Sequence, residues 1–374
     1  MSEALIPAPA RVLVTTDSVG GVWTYAATLA TALRAAGLSP TLAVLGPSPS
    51  AAQLSMAQDV RVIDTGAALD WQARSRAEIA AAADVIATLA SSTGCDCLQL
   101  HSPAYLAFGS FSVPAVAVMH SCVGTWWSAV RGGGLPEDLA WRCELVKDGL
   151  LNAEIALAPT ASFARDVARF YSVPAPKVVS NALPMQPASV EPAMAPAGSV
   201  FAFTAGRLWD EAKAVHTLDE AAALIDMPVY AAGATTSGAS DDNVFRHLHP
   251  LGPLGAGQMR YVLARRPIFV STSVYEPFGL SILEAADAGC ALVLSDIPTL
   301  RELWQGAALF FPPRDAAALA AQLACVRHDV TLRDDLGRKA SARSAAFSAG
   351  LQAERMMGIY RNVFRARRRA EAAA

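Results

Sequence analysis

The chain has 374 residues, of which 53% are hydrophobic and 17% are charged, and its formal net charge is −3. A chain of this length predicts two domains that each bury a core, and the low share of charged residues agrees with large cores. The slightly negative charge argues against a nucleic-acid-binding protein, which needs clustered positive charge.

The first half of the chain alternates short apolar runs with helical patterns. Predicted strands lie at residues 11–17, 41–46, 97–101, 114–120 and 153–160, and a further short apolar run lies at 177–183. A helical pattern follows the first strand and ends at Gly37, a residue type common just after helices. The stretch 97–130 carries no formal charge and is long enough to cross a membrane. Its prolines, glycines and serines favour short buried strands joined by loops instead.

The second half repeats the alternation after a segment rich in Pro and Ala at 186–199, which is predicted to be a linker. Predicted strands lie at residues 200–207, 227–233, 267–273, 290–296 and 307–313. Thr299 and Glu302 have the spacing of a capping box, and Asp315 is predicted to cap the following helix. The last segment has the apolar spacing of an amphipathic helix.

Strands that alternate with helices of this length predict crossover connections and parallel sheets. The predicted organisation is an α/β protein with two doubly wound, Rossmann-like domains. Its parts are an N-terminal domain at 1–185, the linker at 186–199, a C-terminal domain at 200–347 and a final helix at 348–374. Ligands of such sheets bind beyond the carboxyl ends of the strands, so polar residues directly after strands are the candidates for a site.

Two glutamates eight positions apart, Glu276 and Glu284, follow the third predicted strand of the second half. The helix that begins between them would direct its dipole and its first N–H groups toward a phosphate. These N–H groups belong to Phe278, Gly279 and Leu280. Carboxylates on both sides of a phosphate site suit a ligand with hydroxyls on both sides, such as a nucleotide sugar. The alternative is a capping glutamate and a solvated helix glutamate.

The stretch EPFGLSILE at 276–284 resembles the Glu-x7-Glu signature of retaining GT-B glycosyltransferases, in particular their family-4-like group. The similarity continues through AADAGCALVLSDIPTLRELW and covers nearly the whole chain, most clearly at 201–311. It implies a GT-B fold with two domains facing across a cleft and a last helix that crosses back to the N-terminal domain. It also implies hexose transfer from a nucleotide-diphosphate sugar to an acceptor hydroxyl, without a metal or another cofactor.

The resemblance assigns a role to two cations in TAGRLWDEAKAV. Arg207 and Lys213 correspond to the pair that holds the diphosphate in this family. Two cations facing a leaving diphosphate would stabilise the charge that develops as the glycosidic bond breaks. This element is one residue longer than the common family form, and Ala214 stands where glycine is usual. The alternative is that both cations form surface ion pairs with Asp210 and Glu211.

Four residues of the first half also match the family. Gly20 and Gly21 in DSVGGVWTY resemble its glycine pair, which lets the loop approach the donor sugar and the acceptor. This pair is not the GxGxxG fingerprint, which argues against a nicotinamide enzyme. His120 in AVMHS matches the histidine that approaches the donor hexose. His101 also matches a family position, and a structural role is expected for it.

The resemblance implies a front-face substitution, in which the acceptor hydroxyl attacks from the side that the diphosphate leaves. Glu276 would then position the hexose rather than act as a nucleophile. The expected partners are a UDP-, GDP- or ADP-linked donor and a sugar, lipid-linked or small-molecule acceptor, in cell-surface glycan or glycoconjugate synthesis. Two alternatives remain, a nucleotide-sugar epimerase of the same fold and a non-catalytic nucleotide-sugar-binding protein.

The predicted location is the cytoplasm. Six cysteines without a CxxC pair favour reduced thiols, and no signal peptide is recognisable at the N-terminus. Five arginines form a basic run near the C-terminus: Arg361, Arg365, Arg367, Arg368 and Arg369. Such a run is predicted to be the solvated face of the last helix, and weak contact with anionic lipids at the inner membrane face is the alternative. Trp126 and Trp127 are either a packed pair or an acceptor or membrane surface.

Overall fold

The computed structural model describes residues 10–108, 111–184, 200–236 and 244–373. The chain forms two compact units. Unit 1 contains the residues before 186, apart from 129–131, and all residues from Ser348 onward. Unit 2 contains residues 186–347 and the short segment 129–131. The predicted linker at 186–199 lies outside the described residues.

Unit 1 is built on a parallel sheet of seven strands. In chain order they are β1 Arg11–Asp17, β2 Ser39–Leu45, β3 Arg61–Asp64, β4 Cys97–Leu100, β5 Ala115–Val118, β6 Ile155–Ala158 and β7 Lys177–Val178. They lie side by side in the order β3-β2-β1-β4-β5-β6-β7, and every neighbouring pair is parallel. The order reverses between β1 and β4, which opens a crevice beyond the carboxyl ends of these two strands.

Among the described residues, six α-helices lie between these strands in the sequence. They are α1 Gly21–Ala35, α2 Ala51–Met56, α3 Arg76–Thr93, α4 Val123–Val130, α5 Glu137–Asn152 and α6 Ala161–Tyr171. Helix α1 ends where the sequence predicted, because Gly37 just beyond it has a left-handed φ of +89°. The centre of β1 is fully buried, and Leu29 and Leu33 of α1 join it in one core.

Unit 2 is built on a parallel sheet of six strands. They are β8 Ala202–Ala205, β9 Val229–Ala232, β10 His249–Gly252, β11 Ile268–Ser271, β12 Ala291–Ser295 and β13 Ala308–Phe311, in the order β10-β9-β8-β11-β12-β13. The accompanying helices are α7 Val215–Ala222, α8 Ala256–Ala264, α9 Leu280–Asp287, α10 Pro298–Trp304, α11 Ala316–His328 and α12 Val330–Ser344. The prediction of two doubly wound, Rossmann-like α/β units is therefore confirmed.

The final helix, α13 Ala349–Ala373, belongs to unit 1 although it follows unit 2 in the sequence. Met356, Tyr360 and Val363 are buried in the same core as α1. The five arginines of the basic run lie on the exposed side of this helix. Among the described residues, no helix combines the length and the apolar character that a membrane span requires.

The two cap predictions have different outcomes. Asp315 caps α11 as predicted, since its Oδ1 accepts a hydrogen bond of 2.8 Å from the backbone N–H of Ala318. The capping box at Thr299 and Glu302 is wrong, because α10 already begins at Pro298, whose fixed φ suits the first helical position. Thr299 therefore lies inside the helix, and its hydroxyl donates instead to the backbone oxygen of Glu276, at 2.6 Å.

Candidate functional site

The candidate site of unit 2 lies where its strand order reverses, beyond the carboxyl ends of β8 and β11. A pocket at this place is lined by the loops that follow the two strands. Its polar lining includes Thr204, Arg207, Lys213, Ser271, Thr272, Ser273, Glu276 and Ser281. Three of the residues predicted for catalysis, Arg207, Lys213 and Glu276, thus meet in one pocket.

Arg207 is held at the pocket by its neighbours in the β8 loop. Its Nη2 lies 2.8 Å from Asp210 Oδ2, and its guanidinium carbon lies 5.6 Å from the ring centre of Trp209. The ion pair with Asp210 that the sequence offered as an alternative is therefore present. Its side chain remains 54% exposed, and a guanidinium has five N–H donors. Pairing with Asp210 therefore fixes the cation without consuming its capacity to bind an anion.

Lys213 pairs with Glu276, a residue 63 positions away. The distance from Lys213 Nζ to Glu276 Oε2 is 2.5 Å, and the two side chains are only 22% and 13% exposed. Within the described residues, the structure thus joins two groups that the sequence predicted from separate motifs. A partly buried pair of this kind places a cation and a hydrogen-bond acceptor side by side in the pocket.

Backbone contacts fix both members of this pair. The hydroxyl of Thr272 donates to the backbone oxygen of Lys213 at 2.7 Å, and Val274 N–H donates to the oxygen of Ala212 at 2.8 Å. The bond from Thr299 described above holds the backbone of Glu276 in the same way. The β8 loop, the β11 loop and α10 are thereby tied together around the pocket.

Ala214 joins the turn at Lys213 to α7 in a left-handed conformation, with φ +44°. This backbone explains why glycine is usual here, since a Cβ in this region costs about 1 kcal/mol. We expect Ala214→Gly to raise the free energy of unfolding by about 0.5–1 kcal/mol, as measured by urea unfolding. Ala223→Gly is the matched control, because Ala223 has a right-handed φ of −68° and should lose stability. Equal losses in both variants would contradict the explanation.

Helix α9 begins at a glycine that cannot be replaced without strain. Gly279 has φ +88°, and a Cβ there would lie 2.7 Å from Ile282 Cδ1. The first N–H groups of a helix have no acceptor within the helix, so the positive end of α9 and Ser281 of its first turn can serve an anion in the pocket. The side chain of Phe278 is buried against Phe347, so this residue can offer a ligand only its backbone.

Glu284 lies one turn into α9, outside the residues that line the pocket of Glu276. Removal from water raises the pKa of its carboxyl from 4.5 to about 7, although the nearby Arg260 lowers it. Of the two glutamates of the Glu-x7-Glu stretch, Glu276 thus lines this pocket and Glu284 does not. A carboxyl group whose ionised form is destabilised by burial is typical of a ligand-binding position.

Gly233 is a residue of the site region that the sequence did not single out. The ends of β8, β9 and β10 are joined there by hydrogen bonds from Gly206 N to Ala232 O, at 3.0 Å, and from Gly233 N to Gly252 O, at 2.8 Å. A Cβ on Gly233 would lie 1.7 Å from the backbone oxygen of Gly206. The glycine at the end of MPVYAAG was the available signal. Without a Cβ, Gly233 allows the backbone oxygen of Gly206 to approach closely, and this approach sets the path of the Arg207 loop.

The candidates of unit 1 lie at the carboxyl edge of its sheet. Gly20 and Gly21 follow β1 and begin α1, and both are exposed. A Cβ on Gly20 would meet nothing within 4 Å, so contacts within the protein do not require glycine there. Trp126 and Trp127 are half-buried on α4, and Trp127 Nε1 donates to Gly134 O at 3.1 Å.

His120 follows β5 and contacts two other rings. Its ring centre lies 4.6 Å from that of Tyr25 and 4.9 Å from that of His101, which in turn lie 5.0 Å apart. All three contacts are edge-to-face. Burial lowers the pKa of His120 to about 4 and lowers the pKa of His101 well below its usual range. Both imidazoles are therefore neutral at neutral pH, and His120 can hydrogen-bond an uncharged ligand group but does not supply a positive charge.

Among the described residues, no group of three or more His, Cys, Asp or Glu side chains is arranged to hold a metal ion. The cofactor-free reaction implied by the resemblance stays a prediction.

Comparison with protein families and known proteins agrees with this geometry. The model described as Glycosyltransferase Family 4 matches residues 19–185, and the model described as Glycosyl transferases group 1 matches residues 200–329. A segment of 98 residues is 33% identical to the O-antigen chain mannosyltransferase B of Escherichia coli. That segment spans 26% of this chain and 26% of the relative.

Two solved structures resemble the whole fold. Sucrose-phosphate synthase from Thermosynechococcus elongatus has a TM-score of 0.76 at 19% identity, over 96% of this chain and 100% of that one. The Anabaena protein HepE, solved in complex with UDP and glucose, has a TM-score of 0.70 at 15% identity, over 93% of this chain and 98% of that one. The likeness to these structures supports the fold, and the two family models extend over both units. The chain belongs to the GT-B glycosyltransferases, in the group related to family 4.

Proposed function

We propose that this glycosyltransferase moves a hexose from a nucleotide-diphosphate sugar to an acceptor hydroxyl, with retention of anomeric configuration and without a metal ion. The observation that carries the proposal is the contact between Lys213 and Glu276 in the pocket at the carboxyl edge of the unit 2 sheet. Lys213 suits a diphosphate, and Glu276 suits a sugar hydroxyl. Their contact therefore suits a donor whose sugar–diphosphate bond lies beside both side chains.

The diphosphate would be bound by Arg207, by Lys213 and by the N-terminal end of α9. These groups place positive charge where negative charge develops as the leaving group departs, which is the most effective form of transition-state stabilisation in a pocket. Because two cations and a helix dipole supply this charge, the reaction needs no metal ion to neutralise the diphosphate.

The hexose would be oriented by Glu276 and by the neutral imidazole of His120. In the proposed front-face step, the acceptor oxygen forms its bond to the anomeric carbon on the face that the diphosphate leaves. The bond from that carbon to the diphosphate oxygen breaks, and its electron pair stays on the diphosphate. The proton of the acceptor hydroxyl passes to a diphosphate oxygen. Lys213 stabilises the negative charge on the leaving group during this exchange.

The nucleotide would be held by Glu284, whose carboxylate can accept hydrogen bonds from ribose hydroxyls. Because HepE was solved in complex with UDP and glucose, UDP is the first nucleotide to test, beside GDP and ADP. The similarity to a mannosyltransferase of O-antigen chains supports a role in cell-surface glycan synthesis. We propose a cytoplasmic enzyme that acts on a sugar, lipid-linked or small-molecule acceptor.

The test is a thermal-shift panel of UDP, GDP and ADP with their hexose forms, followed by transfer assays with the donor that binds. A ligand at a hundred times its Kd should stabilise the protein by about 2.7 kcal/mol. NMR of the product anomer then reports retention, and activity in EDTA reports independence from metal. Conversion of the donor without an acceptor would identify an epimerase instead. A panel without any shift would contradict nucleotide-sugar binding.

Glu284 gives this proposal a distinct pH dependence. A folded pKa of about 7 against 4.5 means that the folded state holds more protons than the unfolded state between these pH values, so stability decreases as pH rises through this range. We expect Glu284→Gln to be more stable than the wild type by about 3 kcal/mol at pH 8, with little difference at pH 4.5. Urea unfolding at both pH values measures the difference.

Nucleotide affinity should increase as pH rises, whereas the stability of the free protein decreases. Hydroxyl groups bind the ionised carboxylate, so the thermal shift of the wild type with its nucleotide should increase from pH 6 to pH 8. Glu284→Gln should lose this increase. The exposed Glu220 on α7 supplies the control, since Glu220→Gln should behave like the wild type in both experiments. A Glu284→Gln variant that binds nucleotide like the wild type at pH 8 would argue against a ribose contact.

A further inference from the structure

A chain of buried hydrogen bonds connects the last helix of unit 1 to the histidine pair. Tyr360 Oη on α13 lies 2.5 Å from Gln99 Oε1 on β4, a contact that spans 261 positions of sequence. Gln99 Nε2 lies 2.8 Å from His101 Nε2. The side chains of Tyr360 and Gln99 are fully buried, at 0% exposure.

The distances fix the direction of these hydrogen bonds. A separation of 2.5 Å lies at the short end of the range for O–H···O bonds and below the range for N–H···O bonds, so the hydroxyl of Tyr360 donates to the amide oxygen of Gln99. The amide nitrogen of Gln99 then faces His101 Nε2. An amide nitrogen is only a donor, and so His101 Nε2 must be the acceptor and the imidazole proton must reside on Nδ1.

The consequence is a histidine with a fixed backbone and a fixed tautomer. The backbone N–H of His101 donates to the hydroxyl of Thr15 on β1 at 3.0 Å. His101 Nδ1 and His120 Nε2 are buried and have no hydrogen-bond partner among the described residues. Buried polar atoms are usually paired, so two such atoms on contacting rings suit a water molecule or a ligand hydroxyl that enters between them.

We propose that Tyr360 and Gln99 are positioning residues of the donor-sugar site: through the Tyr360–Gln99–His101 chain they hold His101 as its Nδ1–H tautomer and thereby orient the ring against which His120 rests. The inference rests on the proposed function, because it assumes that His120 contacts the donor hexose. Gln99 and Tyr360 would touch neither the donor nor the acceptor.

Packing alone does not require the Tyr360–Gln99–His101 hydrogen bonds. The other residues of β4 are Cys97, Leu98 and Leu100, and an aliphatic residue at position 99 would serve an apolar strand equally well. A buried amide is costly unless its donors and acceptors are satisfied. Here the hydroxyl of Tyr360 satisfies the amide oxygen, and the amide nitrogen is directed at a histidine that contacts the candidate site. The polar pair thus determines one tautomer where an apolar pair would leave two.

The test is Tyr360→Phe, which removes one oxygen atom and keeps the ring that fills the core. Without the hydroxyl, the amide of Gln99 can turn its oxygen toward His101 and select the Nε2–H tautomer. NMR of protein labelled with ¹⁵N-histidine, assigned with His101→Asn, reports the tautomer directly. We expect the wild type to show the Nδ1–H form and Tyr360→Phe to show a mixture or the Nε2–H form. Tyr171→Phe, which removes another buried hydroxyl of unit 1, should leave the signal unchanged.

Kinetics provide the second measurement. Outer partners of metal-bound histidines contribute about tenfold or more, and by analogy we expect Tyr360→Phe to lower kcat by about tenfold. Binding of the free nucleotide diphosphate, which we assign to unit 2, should not change. An unaltered His101 tautomer in Tyr360→Phe would overturn the positioning chain whether or not the protein transfers sugar. If Tyr360→Phe alters the tautomer but keeps the full kcat, the Tyr360–Gln99–His101 hydrogen bonds have only a structural role, and their proposed role in the donor-sugar site is overturned.

Discussion

Glu276→Gln is expected to lower kcat for sugar transfer by about 10²–10³-fold, the usual cost of removing one preorganised electrostatic group. Glutamine keeps the shape of the side chain but loses the charge that pairs with Lys213 at 2.5 Å. The hexose then loses its strongest hydrogen-bond acceptor. Initial rates with the donor found in the nucleotide panel measure the effect.

The same variant should bind the free nucleotide diphosphate at least as tightly as the wild type. In the wild type, Lys213 divides its charge between Glu276 and an incoming anion, and the carboxylate also repels that anion. Removing the carboxylate relieves both effects, so calorimetry should give an unchanged or lower Kd. This opposite movement of kcat and affinity distinguishes the proposed role from simple unfolding of the pocket.

Two outcomes would count against this account of Glu276. Full activity of Glu276→Gln would remove the residue from the reaction. A covalent adduct between Glu276 and the sugar, trapped and seen by mass spectrometry, would replace the front-face step with a nucleophilic one. Glu220→Gln again serves as the control for the loss of one negative charge from unit 2.

Gly233→Ala is expected to cost about 3–5 kcal/mol of unfolding free energy and to abolish nucleotide binding. The new Cβ would lie 1.7 Å from the oxygen of Gly206, and the backbone has φ +138°, so overpacking and backbone strain act together. Relief of the clash requires the chain at Gly206 to move, and Arg207 moves with it. Urea unfolding and the thermal shift with nucleotide measure the two effects.

Gly306→Ala separates the strain from the clash. Gly306 also has a positive φ, +84°, but a Cβ there would meet nothing within 4 Å. This control should lose only about 1–2 kcal/mol and should bind nucleotide normally. Equal losses at Gly233 and Gly306 would show that the contact with Gly206 is unimportant.

The central strands and the doubly wound architecture could be predicted because buried parallel strands leave uninterrupted apolar runs between helices. Strands β3 and β10 were not predicted, and both lie at the edge of their sheets. An edge strand need not be apolar, and β10 contains a proline that a central strand would exclude. The capping box at Thr299 was predicted wrongly because the spacing rule ignores the preceding Pro298.

Local motifs named Lys213 and Glu276 separately, but only the tertiary structure could show that they touch. The same limit applies to Gly233, whose role depends on a backbone oxygen from another loop, and to Gln99, whose partner lies on the last helix. Sequence patterns indicate the hydrophobic period and the ends of helices and strands. They contain no direct record of which loops meet at the edge of a sheet.

The return of α13 to unit 1 has a consequence for how the chain folds during synthesis. Apart from residues 129–131, unit 2 is contiguous from Gln186 to Phe347, so all of its strands leave the ribosome before α13 does. Unit 1 starts first but must wait for Met356, Tyr360 and Val363 before its core is complete. Since domains generally fold as units, the second unit in the sequence can be the first to finish, and the hydroxyl of Tyr360 reaches Gln99 only at the final stage of assembly.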